Sequence, residues 1–466
     1  MRINKLVMIA AVAGVLFTGC TDDDTPAALP GVGVSLVQES VGEDVGTVSL
    51  LFNTMNTFDT DVELIYELSG TATADTDYTA LQGTLVLEAG ANSVNQNLFI
   101  IDDAEVETDE ELIVTLTSVN GETEFISSNS SATLTITDND SFAYENGILV
   151  LHEGNFFGGN ASVSYITEDL STTTNNIFSG VNDAALGDVG QSMGFNGDLA
   201  YIVVNNSQKI EVVNRFTFEL VGTIDTGLLN PRNIAFTKGK GYVTNWGDGT
   251  DATDDFVALI NLESFTVEDT YSVPEGPEAI VATEDYIYVA HQGGFGQNNI
   301  VTVINANTNT LDSSITVADR PNSMQLIDGA LWVLSGGNPS WTGNETAGQL
   351  DKIDTVTNSI ETTFAFTQTE HPGNLSVDGA NLYYLMSGNV FNMNVSDTEL
   401  PATGVVNGVS FYDMTVNNGK LYGVDAKDFA SNGSLEIYDL GSNTLDVSLE
   451  VSIIPGAIYF NGGFEF

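Results

Sequence analysis

The strongest constraint on this chain is a motif that recurs seven times after Ser141. The segments "GILVLHEGN", "LAYIVVNN", "KGYVTNW", "YIYVAHQ", "ALWVLSG", "NLYYLMSG" and "KLYGVDA" line up on Leu149, Tyr201, Tyr242, Tyr288, Trp332, Tyr383 and Tyr422. Each later copy follows an apolar strand and a tight turn, as in "NIAFTKGK", "SMQLIDGA" and "DMTVNNGK". Four strands in a unit of about 40–50 residues cannot bury both faces of a sheet alone, so the units must stack radially. Seven such units predict a seven-bladed β-propeller over residues 141–466. The first copy lacks a leading strand, and "PGAIYFNGGFEF" near the C-terminus resembles that missing piece. Strands from both ends are therefore expected to complete one blade and remove an exposed sheet edge.

Residues 31–140 have a different texture. Short alternating runs such as "GTVSLLF", "VELIYELS", "ELIVTLTS" and "SATLTITD" are separated by Gly, Asp and Asn, and none has a helical period. This pattern predicts about seven short strands in an Ig-like sandwich, which makes the whole chain all-β. Acidic residues gather at strand ends: Glu39, Glu43 and Asp44; Asp75 and Asp77; Asp102, Asp103 and Glu105; Asp109, Glu110 and Glu111; Asp138 and Asp140.

In "ESVGED", "GTATADTDYTALQGTLVLEAG", "IIDDAEVETDEELIVTL" and "ATLTITDND" the segment resembles a Calx-β domain. It departs from that pattern at Asp75, where the family usually has glycine. The resemblance implies carboxylates from separate loops converging at one end of the sandwich. Calcium takes 6–8 oxygen ligands, which suits such a set. Glu39, Asp77, Asp103, Asp138 and Asp140 are the ligands it implies; the bland reading is a solvated acidic loop end in a domain that serves as a spacer.

The N-terminal "MRINKLVMIAAVAGVLFTG" has a short basic start, an apolar run and then small residues, the pattern of a secretory signal over residues 1–19. The apolar run stops at the only cysteine, Cys20. Phe17-Thr18-Gly19-Cys20 resembles a bacterial lipobox, which implies cleavage before Cys20 and its acylation. Residues 20–30 then form an acidic tether, and Asp22, Asp23 and Asp24 resemble the export tag of Bacteroidetes surface lipoproteins. The expected location is the outer membrane, facing outward and held by lipid alone.

Charge narrows the partners. The formal net charge is −53, from 64 acidic and 11 basic residues, and residues 21–140 contain no Lys or Arg. Nucleic acid is excluded as a natural partner, because phosphate binding rests on Lys and Arg. The hydrophobic fraction of 42% still supplies a core.

The repeat also sorts the loops. Turns between the first and second strands of each unit are short, whereas loops after the second strand and between units are long and rich in Asn, Gly and aromatics. That face is expected to carry His152, Asn155, Phe156, Trp246, Arg232, His291, Phe295, Arg320, Trp341 and His371. Flat apolar contact plus a few fixed polar groups is what a bound small molecule needs. The same aromatics could instead cap the blades. No H-x-x-x-H spacing appears, and binding rather than catalysis is expected.

In "LHEGNFFGGNASVSYI" and "GDVGQSM" the repeat region resembles the YncE-like, surface-layer-type propellers of Bacteroidetes lipoproteins, among them the cobalamin-capturing BtuG group. The resemblance implies extracellular capture of a corrinoid (vitamin B12) and its handover to a TonB-dependent transporter. A glycan- or haem-binding propeller, or an adhesion protein with a calcium-stabilised spacer, is the alternative.

Overall fold

A computed structural model describes residues 31–294 and 296–463, which fall into two compact units dividing between Ser141 and Phe142. Each is all-β in its main elements. No helix among the described residues is long and apolar enough to cross a membrane.

The first unit is a sandwich of two sheets. One has the order Val32–Leu36, Thr47–Thr54, Ser93–Phe99. The other runs Ser40–Gly42, Ser131–Thr137, Glu110–Val119, Val62–Gly70, Thr84–Leu87. Alternation along Thr47–Thr54 buries Val48, Leu50 and Phe52, and these meet Leu64, Tyr66, Leu112, Val114 and Leu134 from the facing sheet. Eight strands form where about seven are expected. The extra one is the three-residue Ser40–Gly42, too short to show a period, which pairs in parallel with Ser131–Thr137.

The second unit contains seven four-stranded sheets among the described residues. Six consist of strands consecutive in the chain, as in Pro231–Thr237, Lys240–Asn245, Phe256–Asn261, Thr266–Ser272. The seventh joins Gly147–His152, Ser162–Ile166 and Thr173–Thr174 to Pro455–Asn461. The leading strands pack against one another in a closed ring: Gly190–Asn196, Pro231–Thr237, Pro277–Ala282, Pro321–Ile327, Gly373–Asp378, Asp413–Asn417, Pro455–Asn461 and back to the first. This is a seven-bladed β-propeller.

All seven aligned residues lie in second strands. Tyr201, Tyr242, Tyr288 and Trp332 are fully buried between blades. Two of their hydroxyls also staple neighbouring blades: Tyr242 donates to Asn309 Oδ1 and Tyr288 to Asn358 Oδ1, each at 2.8 Å. Both asparagines sit at positive φ in turns, a conformation Asn tolerates better than most residues. The outermost strands, such as Thr310–Thr316 and Ser359–Ala365, expose Thr, Ser, Asp and Glu, and these polar, charged side chains discourage edge-to-edge association.

Candidate functional site

Six of the seven leading strands carry a register shift near their first residues: at Gly190/Ser192, Pro231/Ile234, Pro277/Ile280, Pro321/Ser323, Gly373/Ser376 and Pro455/Ala457. A bulge re-aims the side chains it contains. Here it brings Gln191, Arg232, Glu278 and Asn322 to an axial channel of about 420 Å³, together with Tyr412 and Asp413 from the sixth inner strand and its approach.

A cleft of about 520 Å³ shares Glu153, Gln191, Arg232 and Tyr412 with this channel and is walled by Phe156, Trp246, Phe429, Val189 and Ile454. Arg232 donates from Nε and Nη2 to the two carboxylate oxygens of Glu278, at 2.9 and 3.0 Å, and its guanidinium lies 4.0 Å from the ring centroid of Trp246. Tyr412 donates its hydroxyl to Glu153 Oε1 at 3.0 Å and meets Phe429 edge-on, with ring centroids 5.4 Å apart. Gly456 makes room for Glu153, since a Cβ there would lie 3.2 Å from Glu153 Cγ. Burial pushes the Glu153 carboxyl up from its ordinary range, against the pull of Tyr412 and Arg232. Burial also pushes Asp413, in the channel, up to about 7.

Of the residues expected on this face, Phe156, Arg232 and Trp246 come together in the cleft. Asn155 stands at its edge and donates from Nδ2 to the Phe429 carbonyl at 3.3 Å, joining the loops of two blades. Arg320 and Trp341 form a separate pair, 5.8 Å from guanidinium carbon to ring centroid, and do not line the cleft. His371 is also elsewhere, bonded to the Gly336 carbonyl at 2.8 Å and near Glu345 Oε1 at 3.4 Å. Phe295 and Cys20 lie outside the described residues, as do Asp22, Asp23 and Asp24.

Two histidines require correction. His152 and His291 are the last residues of their second strands and are fully buried, not displayed on loops. His152 Nε2 meets Ser164 Oγ at 2.8 Å. His291 donates from Nδ1 to the Pro274 carbonyl at 2.8 Å and accepts at Nε2 from Thr302 Oγ1 at 2.9 Å. Asn245 occupies the same register in its blade, opposite Pro231 as His291 is opposite Pro277, and accepts from the Leu229 amide at 3.0 Å. These buried polar groups fasten the incoming interblade segment. Burial holds His152 down at about 3 and His291 at about 4, so both stay neutral.

Glu153, Gln191, Tyr412 and Phe429 are among the cleft residues that sequence reasoning misses. Aligning Gly190-Gln191-Ser192-Met193, Pro231-Arg232-Asn233-Ile234, Pro277-Glu278-Ala279-Ile280 and Phe411-Tyr412-Asp413-Met414 would have found Tyr412, because their last residues are buried apolar equivalents.

In the sandwich, two carboxylate groups form at one end: Glu43 with Asp138 and Asp140, and Asp77 with Glu107 and Glu110, the oxygens within 4.8 Å of one another in each. Asp103 lies close enough for its charge to reach Glu43, Glu107 and Asp140. Glu39 does not join them. Pairing sets Gly42 opposite Thr137, so Glu43 stands beside Asp138, while Glu39 is four residues back along the chain, roughly 13 Å away. Burial and then the charges of Asp138 and Asp103 push Glu43 up to about 7; burial and Asp77 push Glu110 to about 7. An all-oxygen set under mutual repulsion fits a hard divalent cation such as calcium.

Residues 146–442 match the family described as a domain of unknown function, DUF5074. The chain belongs to that family. Residues 28–140 match the Calx-beta domain. No curated protein matches the chain. Among solved structures, a functionally unknown protein from Desulfotomaculum acetoxidans DSM 771 is 13% identical, over 68% of this chain and 99% of that one, with a TM-score of 0.51. Dihydro-heme d1 dehydrogenase NirN, in complex with DHE, is 12% identical over 70% and 77% of the two chains, with a TM-score of 0.45. The apo-form Calx CBD1 domain is 24% identical over 24% of this chain and 99% of that one, with a TM-score of 0.21. What the DUF5074 propeller shares with the Desulfotomaculum protein at this identity is its fold.

Proposed function

We propose that this protein captures a small, flat-faced molecule at the axial cleft of its propeller, and that the molecule is a corrinoid. The observation that carries this reading is the convergence of Phe156, Trp246, Tyr412 and Phe429 around a polar floor of Glu153, Gln191 and Arg232. Aromatic walls supply apolar contact at little entropic cost, and a few fixed polar groups set orientation. A corrinoid offers a broad macrocycle to those walls and a rim of amides to those groups. In this reading Cys20 is acylated, the protein is displayed on the outer membrane, and the ligand passes to a TonB-dependent transporter. The sandwich is a spacer that binds calcium through Glu43, Asp138 and Asp140 and through Asp77, Glu107 and Glu110. The chain's residues bind and orient the ligand, and no bond-breaking step is assigned to them.

Calorimetric titration of residues 21–466 with cyanocobalamin, with and without calcium, tests this. Saturable 1:1 binding at nanomolar affinity is expected. Absence of heat together with an unchanged melting temperature would overturn the corrinoid assignment.

A further inference from the structure

The basic residues bordering the cleft are already neutralised. Arg232 gives two hydrogen bonds to Glu278. Lys427, in the adjoining cavity of about 380 Å³ behind Tyr412 and Phe429, lies 3.0 Å from Asp425 Oδ2. Glu153 makes no ion pair among the described residues; its recorded partner is the neutral Tyr412 hydroxyl at Oε1. A carboxylate accepts several hydrogen bonds, so one donor leaves it unsatisfied. On the far side of Trp246 a smaller cavity, about 110 Å³, is lined by Asp248, Asp251, Asp255 and Glu275.

A half-buried carboxylate with no ion pair of its own, beside aromatic faces, attracts positive charge and N–H donors and repels anions. We propose that the cleft selects planar ligands that carry a cationic or N–H donor group, and that Glu153 is the residue that reads that group. Tyr412 is its positioning residue. Planar polycarboxylates are rejected, because Arg232 is held by Glu278 and offers them no free charge. The inference rests on the cleft being a small-molecule site, not on which molecule fills it.

Two planar dyes of opposite charge test the selection by fluorescence titration in 0.5 M NaCl, where long-range attraction to the acidic surface is screened. Acridine orange, a monocation, should bind saturably 1:1, and fluorescein, a dianion, should not. Glu153→Gln should weaken acridine orange at least tenfold, and Tyr412→Phe several-fold. Glu263→Gln removes an exposed charge outside the cleft and should change nothing. Glu278→Gln frees Arg232 and should let fluorescein bind. Equal binding of the two dyes, no saturable binding of acridine orange, or equal affinity in wild type and both the Glu153 and Tyr412 variants would overturn the proposal. Cyanocobalamin is titrated into the same proteins. If it binds while dye selection fails, this inference alone falls; if dye selection holds without cyanocobalamin binding, only the corrinoid assignment falls.

Discussion

Arg232 lies over Trp246, 4.0 Å from the ring centroid, and the same guanidinium is clamped by Glu278. Trp246 thus presents one face to a buried ion pair, and its position depends on that pair. Trp246→Ala removes both an aromatic wall and the surface on which Arg232 rests. Loss of such an anchor costs about 2 kcal/mol or more, so ligand affinity should fall at least about 30-fold. Calorimetry with cyanocobalamin checks this, alongside a melting curve showing that the fold survives.

The strand Pro455–Asn461 completes the first blade and does more than cover an edge. Ile458 is buried, the Met193 amide donates to the Tyr459 hydroxyl at 2.7 Å, and Asn461 Nδ2 donates to the Tyr144 and Arg215 carbonyls. Truncation before Pro455 should cost more than about 5 kcal/mol, from the lost side-chain burial alone. It also exposes the edge of Gly147–His152, so the truncated protein should self-associate. Calorimetry and size-exclusion chromatography would show a lost or strongly lowered transition and larger species.

Glu43 and Glu110 both titrate near 7 against an ordinary value of 4.5. They bind protons more tightly in the folded sandwich than in the unfolded chain. The metal-free sandwich should therefore be most stable below pH 4.5 and lose stability as pH rises through 7. Calcium bound as proposed would compete with those protons, so it should raise the melting temperature strongly at pH 8 and little at pH 5. Scanning calorimetry at both pH values checks this, and Glu43→Gln should flatten the dependence.

His291 works in the opposite direction. Its folded value of about 4 lies below the ordinary 6.5, so its contribution is complete above pH 6.5 and lost as pH falls toward 4. Since Asn245 fills the same register, His291→Asn should fold, with a melting temperature only a few degrees lower at pH 7.5. Its decline from pH 6.5 to 4 should be shallower than that of the wild type, as followed by circular dichroism.

The propeller is legible in the sequence because blade packing demands a large residue at one place in every second strand. Tyr201, Tyr242, Tyr288 and Trp332 satisfy that demand, and their spacing counts the blades. The cleft is legible only in part. Phe156 and Trp246 show up as aromatics in long loops, and Arg232 as a scarce base. His152 and His291 mislead because the boundary between strand and loop falls one residue after them, which changes an exposed ligand into a buried fastening. Glu39 misleads for a related reason: the three-residue strand that carries the turn to Glu43 leaves no periodic trace. Glu153 and Tyr412 gain their meaning from each other, across a separation no local pattern reveals.

That separation has a consequence for synthesis. Glu153 and Tyr412 are 259 residues apart in sequence, and Gly456, which makes room for Glu153, is translated later still. A partly made chain holds the cleft's Trp246 wall and its Arg232–Glu278 clamp but not the partner that orients Glu153. The cleft is thereby completed only after translation has passed the sixth blade and the ring can shut. An incomplete copy would lack the finished cleft, whatever its other blades had already formed.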